Sequence, residues 1–170
     1  LAYVLFAPAP KLDQIMTSFR DTVGVNRFKV LAPAETERLL PLEGPALVHA
    51  VCAFDIAQRP IRATLPIPSD YWSLSVITED GRNAYLLNDR QAGVSSLSLV
   101  LRLKPDGAAV EATGEGLEES ALDPRSTANQ IYIDLAQPRG VVVLRALPRF
   151  PAGRALVETE LARSVCDVPG

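Results

Sequence analysis

What most constrains this chain is a succession of short apolar runs, each four to eleven residues long and bounded by Pro, Gly or polar clusters. Ala46 to Ile56 is almost continuously apolar between Pro45 and Pro60, the pattern of a strand buried on both faces. Pro60 to Ile67 alternates, with Arg62 and Thr64 set against Ile61, Ala63 and Leu65. From Trp72 to Thr78, Trp72, Leu74 and Val76 face one way and Ser73 and Ser75 the other. The turn Glu79-Asp80-Gly81-Arg82-Asn83 then leads into Ala84 to Leu87, so this stretch reads as a β-hairpin. Ser96 to Leu103 alternates on Leu97, Leu99, Leu101 and Leu103, and Asn129–Leu135 and Gly140–Leu147 add two strands rich in Ile and Val. Phe28 to Leu31 is a further short strand.

Helical spacing is confined to the flanks. Leu12, Ile15, Met16, Phe19 and Val23 mark one helix face over residues 11–23, with Gly24 as its stop. Val157, Leu161 and Val165 predict a closing helix that ends at Cys166. Pro41, Gly44 and Pro45 predict irregular chain between Glu35 and Pro45. Seven or so strands between two short helices make a mainly β, antiparallel domain over residues 11–170, a sandwich or jelly-roll rather than a closed barrel.

Composition excludes several classes. The 170 residues carry 17 Lys and Arg against 20 Asp and Glu, a net charge of −3, which argues against gripping nucleic acid by charge. With 48% hydrophobic and 22% charged residues, disorder and coiled coil fit poorly. The opening Leu1-Ala2-Tyr3-Val4-Leu5-Phe6-Ala7 is too short to cross a bilayer, so residues 1–10 read as the remnant of a longer anchor or as an edge strand or extended arm.

Few residues suggest chemistry. One histidine, His49, and two distant cysteines leave a tetrahedral metal site without ligands, and no cofactor is expected. His49 lies mid-strand, in the place of a structural histidine, and no nucleophile elbow or phosphate-binding glycine loop occurs. Cys52 and Cys166 either pair, as two cysteines in an exported domain do, or remain buried thiols. The stretch 105–124, with Asp106, Glu111, Glu115, Glu118, Glu119 and Asp123 and no Lys or Arg, reads as a solvated acidic loop without an EF-hand pattern. Arg139, Arg145, Arg149 and Arg154 form a local basic face that meets solvent, the acidic loop, an acidic partner or anionic lipid.

Two candidate clusters remain. Asp55, at the end of the first buried strand, together with Asp89 and Arg90 after the hairpin, would form a carboxylate and guanidinium cleft if those ends converge. The simpler reading of Asn88-Asp89-Arg90 is a turn. Trp72 and Tyr85 are core residues or a stacking platform for a ring-shaped ligand.

The segments Ala50–Asp55, Tyr71–Tyr85, Asn88–Gly93 and Gly140–Ala146 together resemble the bacterial domain of unknown function 1254 family, over most of residues 45–166. The block from Trp72 to Gly93 is the specific part. Short members are similar in order, with an N-terminal hydrophobic anchor, an early Cys, the hairpin and a late Cys. The resemblance implies an envelope protein anchored in the inner membrane and facing the periplasm, with Cys52 joined to Cys166. It implies no general activity. Longer relatives add a second β domain, so a separately encoded β-domain partner is expected beside the alternative of a small envelope ligand. The leading expectation is a non-enzymatic binding or interaction domain. The rivals are an enzyme using Asp55, Asp89 and Arg90, hydrolase-like or otherwise, and a structural half of a split two-domain assembly.

Overall fold

A computed structural model describes residues 11–90, 94–105, 127 and 129–169. The expectations for residues 1–10 and for nearly all of the acidic stretch 105–124 lie outside the described residues. In chain order the elements are α1 (Leu12–Val23), β1 (Phe28–Val30), α2 (Pro33–Leu39), β2 (Val48–Asp55), β3 (Ile61–Pro66), β4 (Tyr71–Thr78), β5 (Asn83–Asn88), β6 (Ser96–Leu103), β7 (Gln130–Leu135), β8 (Arg139–Leu147), α3 (Arg154–Leu161) and β9 (Val165–Asp167). The strands form two sheets, one in the order β1-β2-β8-β4-β5 and the other β7-β6-β3-β9. All pairings are antiparallel except β6 with β7, which is parallel. The architecture is the expected mainly β sandwich, with nine strands among the described residues instead of seven or so.

Period-two alternation decides which side chains enter the space between the sheets. Val48, Ala50, Cys52 and Phe54 of β2, Trp72, Leu74 and Val76 of β4, and Val142, Leu144 and Ala146 of β8 point inward from the five-stranded sheet. They meet Ile61, Ala63 and Leu65 of β3, Leu97, Leu99 and Leu101 of β6, and Ile131, Ile133 and Leu135 of β7. The other face of the five-stranded sheet is also apolar at its centre. There Val51, Ala53, Val141 and Val143 lie under Met16, Phe19 and Val23 of α1. That second layer explains why β2 and β8 read as near-continuous apolar runs while β3 and β7 alternate.

Two expectations are corrected. The segment expected to be irregular from Glu35 contains most of α2. Pro33 occupies the first turn, where its missing N–H costs nothing, and Glu35 Oε2 accepts from the Ala32 amide at 2.9 Å. Pro41 and Pro45 lie beyond the helix and follow its end. The closing helix stops at Leu161, and Val165 and Cys166 belong to β9, where Cys166 is the register partner of Ala63. The spacing from Val157 to Val165 suits a helix, but pairing with β3 and a covalent link to β2 hold the last residues extended. Cys52 and Cys166 form a disulfide, with Cα atoms 6.7 Å apart, that joins the two sheets through the core.

Candidate functional site

The C-terminal end of β2 holds Asp55 in a dense polar corner. Arg139 Nε donates to Asp55 Oδ2 at 3.0 Å and the Ala57 amide to Oδ1 at 3.0 Å. Asn26, in the left-handed region at φ 54°, accepts from the Asp55 amide at 2.8 Å and donates to the Asp55 carbonyl at 3.2 Å. Burial pushes the Asp55 carboxyl up, but the Ala57 amide and the Arg139 guanidinium outweigh it and hold the group below its ordinary value. The corner borders an open cleft of about 390 Å³ lined in part by Arg59, Ile61 and Val168. The Asn26 and Ala57 contacts tie the carboxylate and its strand end to the local backbone and the Arg139 ion pair ties β2 to β8, so the corner is a built joint between those strands.

Asp89 and Arg90 lie at the other end. In an antiparallel sheet ordered β2-β8-β4-β5, β2 and β5 are three strands apart and run in opposite directions. Their C-terminal ends therefore face opposite ends of the sheet. Asp55 pairs in register with Arg139, whereas the Asp89 amide donates to Trp72 O, and Trp72 pairs with Ala146. Seven positions along β8 separate the two, about 23 Å at the usual strand rise. Asp55 thus shares no cleft with Asp89 and Arg90, which corrects that grouping. Asn88 Oδ1 accepts from the Arg90 amide at 3.1 Å, the local turn bond that the simpler reading required.

Trp72 is 2% exposed and packs in the core, and Tyr85 is half-buried against the same cluster, its phenol pushed up by burial. Trp72 and Asp89 nonetheless border one open cleft of about 600 Å³, along with Ile67, Asp70, Tyr71, Arg149 and Glu160. Asp70 Oδ1 lies 3.1 Å from Arg149 Nε and fixes the segment after β8 across the mouth. Beside it the surface is apolar. Tyr71 and Leu147 are register partners, 50% and 39% exposed, and Phe150 is 71% exposed. Sequence reading missed this group because Tyr71 and Phe150 come from segments 79 positions apart, joined by β4–β8 pairing and the Asp70–Arg149 ion pair. The legible signal was an aromatic at the start of β4, Tyr71, and another, Phe150, three residues past the end of β8.

The four arginines of the basic face all pair with acids: Arg139 with Asp55, Arg145 with Glu43, Arg149 with Asp70 and Arg154 with Glu158. His49 is fully buried on the outer face of the five-stranded sheet, its Nε2 3.4 Å from Glu43 Oε2. Arg145 Nε donates to Glu43 Oε1 at 2.8 Å and its Nη1 to Ser75 Oγ at 2.8 Å. Burial pushes the Glu43 carboxyl up, yet Arg145 and His49 together bring it below its ordinary value. No group of three His, Cys, Asp or Glu is placed to hold a metal among the described residues, and no helix there is long and apolar enough to cross a membrane.

A two-sheet sandwich with short flanking helices is the class this architecture defines. No family model matches the chain, and no curated protein does. Among solved structures it is similar to the VPA0106 protein from Vibrio parahaemolyticus, with a TM-score of 0.61 and 12% identity over 92% of this chain and 35% of that one. A putative uncharacterized protein from Burkholderia cenocepacia matches with a TM-score of 0.49 and 12% identity, over 76% and 34% of the two chains. The chain spans about a third of the length of each. At these identities the likeness to the Vibrio protein shows the fold.

Proposed function

We propose that this is a non-enzymatic interaction domain of a bacterial envelope protein, and that it docks a second β domain through the sheet end formed by Tyr71, Leu147 and Phe150. The observation that carries this reading is the pairing of exposed Tyr71 with exposed Leu147 at one end of the sheet, with exposed Phe150 three residues further along the chain and Tyr71 bordering the cleft that holds Asp70, Asp89, Arg149 and Glu160. Large apolar side chains gathered at one place, with a polar rim, are the usual anatomy of a docking surface. The partner would bring an apolar centre and a basic edge. The Vibrio structure supports the reading in one respect, since its chain extends far beyond the part that matches this fold. The second domain is carried on the same natural product or on a separate chain.

Placement in the periplasm draws support from the disulfide, which persists in oxidising compartments. The resemblance to the domain of unknown function 1254 family adds a tether to the inner membrane. Fractionation of the natural gene product tests both, with the membrane pellet expected and the soluble cytoplasm contradicting.

Phe150→Asp tests the docking surface. Phe150 lies outside the core, so the substitution is expected to leave stability within about 0.5 kcal/mol. It is expected to weaken association with the second domain at least tenfold, roughly 1.4 kcal/mol or more. Unchanged association would remove this surface from the account. A small molecule retained in the 600 Å³ cleft on native mass spectrometry would favour the ligand-binding alternative instead.

A further inference from the structure

We propose that the outer edge of β5 pairs with β5 of a second copy of this chain, antiparallel across a two-fold axis, so that the five-stranded sheet runs on into its partner's. Four strands end the two sheets, β1 and β5 in one and β7 and β9 in the other. Three of them are guarded as edge strands usually are, by shortness or by charge. β1 is three residues long and carries Lys29, β9 is three residues long and carries Asp167, and β7 carries Asp134. β5 has six residues with neither a charge nor a proline. A register shift between Val76 and Ile77 distorts its pairing with β4 only near the turn, and Tyr85–Asn88 pair regularly. Leu86 on that edge is 40% exposed.

The backbone of this edge suits such a pair. The Asp89 amide donates to Trp72 O, and Leu87 lies opposite Leu74. In an antiparallel ladder alternate residues bond the same neighbour, so Asp89 and Leu87 address β4 while Leu86 turns its N–H and C=O away from it. β5 ends the sheet, so no strand among the described residues receives them. With a two-fold axis at Leu86, each Leu86 amide donates to the carbonyl of the other. Opposed residues of an antiparallel pair share one face of the sheet, and this register respects that rule. Leu86 meets its own copy on the outer face, beside Ser75, and Tyr85 meets Leu87 of the second copy on the core side.

Charge selects a copy of the same chain as the occupant. A two-fold axis sets the centre of a strand against itself, so a charge there would meet its own like. β5 carries none, whereas each of the other three edges does. Antiparallel pairing also sets the first end of one β5 beside the last end of the other. Asp80 and Arg82 mark the first end and Asp89 and Arg90 the last, so the meeting ends each bring one acid and one base. The contact uses none of Tyr71, Leu147 and Phe150, so it stands whether or not a second domain docks there. One pair of six-residue strands is a small interface, and the dimer is expected to be reversible, with a Kd on the order of 10–100 μM.

Sedimentation equilibrium of the oxidised protein from about 10 μM to about 1 mM tests this, with Leu86→Lys and Phe150→Asp as paired variants. The expected mass climbs from one chain towards two as concentration rises. Leu86→Lys sets two ammonium groups together at the axis and is expected to weaken association at least about tenfold, while Phe150→Asp dimerises like the unmodified protein. Amide exchange followed by NMR on the unmodified protein decides the matter even if Leu86→Lys does not fold. The Leu86 amide should be unprotected in dilute solution and protected in concentrated solution, with the Leu87 amide, directed at β4, as a constant reference. A single-chain mass throughout, a dimer that survives Leu86→Lys, a dimer that Phe150→Asp abolishes, or a Leu86 amide indifferent to concentration would overturn the proposal.

Discussion

Reducing the Cys52–Cys166 disulfide is expected to lower the unfolding free energy by about 5 kcal/mol, most of what a domain of this size has to lose. The magnitude comes from the length of chain that the bond closes. With 114 positions between the cysteines, the link removes a large share of the conformations open to the unfolded chain. Its location adds to this, because β2 and β9 belong to different sheets and β9 is only three residues long. Without the bond, β9 keeps its pairing to β3 and the contacts of Cys166 with the core, and little else holds it. The check is chemical denaturation of the same sequence, oxidised and fully reduced. A difference below 1 kcal/mol would contradict the account, as would a denatured mass showing two free thiols.

Gly140→Ala is expected to cost about 3 kcal/mol or more, for a reason unrelated to backbone torsion. Gly140 lies in β8 between β2 and β4, in register with Phe54 on one side and Thr78 on the other. A Cβ there would meet the Ile77 carbonyl oxygen at 2.2 Å, Phe54 Cζ at 2.6 Å and Thr78 Cα at 2.9 Å. Two of the three are backbone atoms of a paired strand, which no rotamer change can move. Relief requires parting β4 from β8, and that pairing also positions Tyr71 against Leu147. The matched control is Gly153→Ala, where an added Cβ would meet Pro148 Cβ at an ordinary 3.9 Å, expected to stay within about 0.5 kcal/mol. Equal denaturation midpoints for the two variants would contradict the packing described.

The hairpin of β4 and β5 was legible because alternation and a Gly-containing turn agree locally. The double burial of β2 and β8 was legible because a long apolar run has few other places to go. α2 was hidden by prolines whose meaning depends on position, Pro33 opening the helix and Pro41 following it. β9 was hidden because a helical spacing ran on into residues that the disulfide and β3 hold extended. Strand ends were the hardest to place. Whether Asp55 and Asp89 converge depends on the number of strands between β2 and β5, and β8, over 80 residues later in sequence, is one of the two. For the same reason the Glu43–His49–Arg145 cluster left no local trace, since Arg145 comes 102 positions after Glu43.

The central claim is that the end of the sandwich marked by Phe150 is where this domain meets its partner. A photo-crosslinking side chain placed at position 150 of the full natural product, in its own host, tests it most directly, with position 58 at the opposite end of the sandwich as control. Gln58 is exposed and lies three residues beyond Asp55. The account predicts one adduct of defined mass from position 150, absent from position 58 and identified by mass spectrometry as a β-rich domain, with Tyr71→Asp suppressing it. No adduct, or the same adduct from both positions, would contradict it.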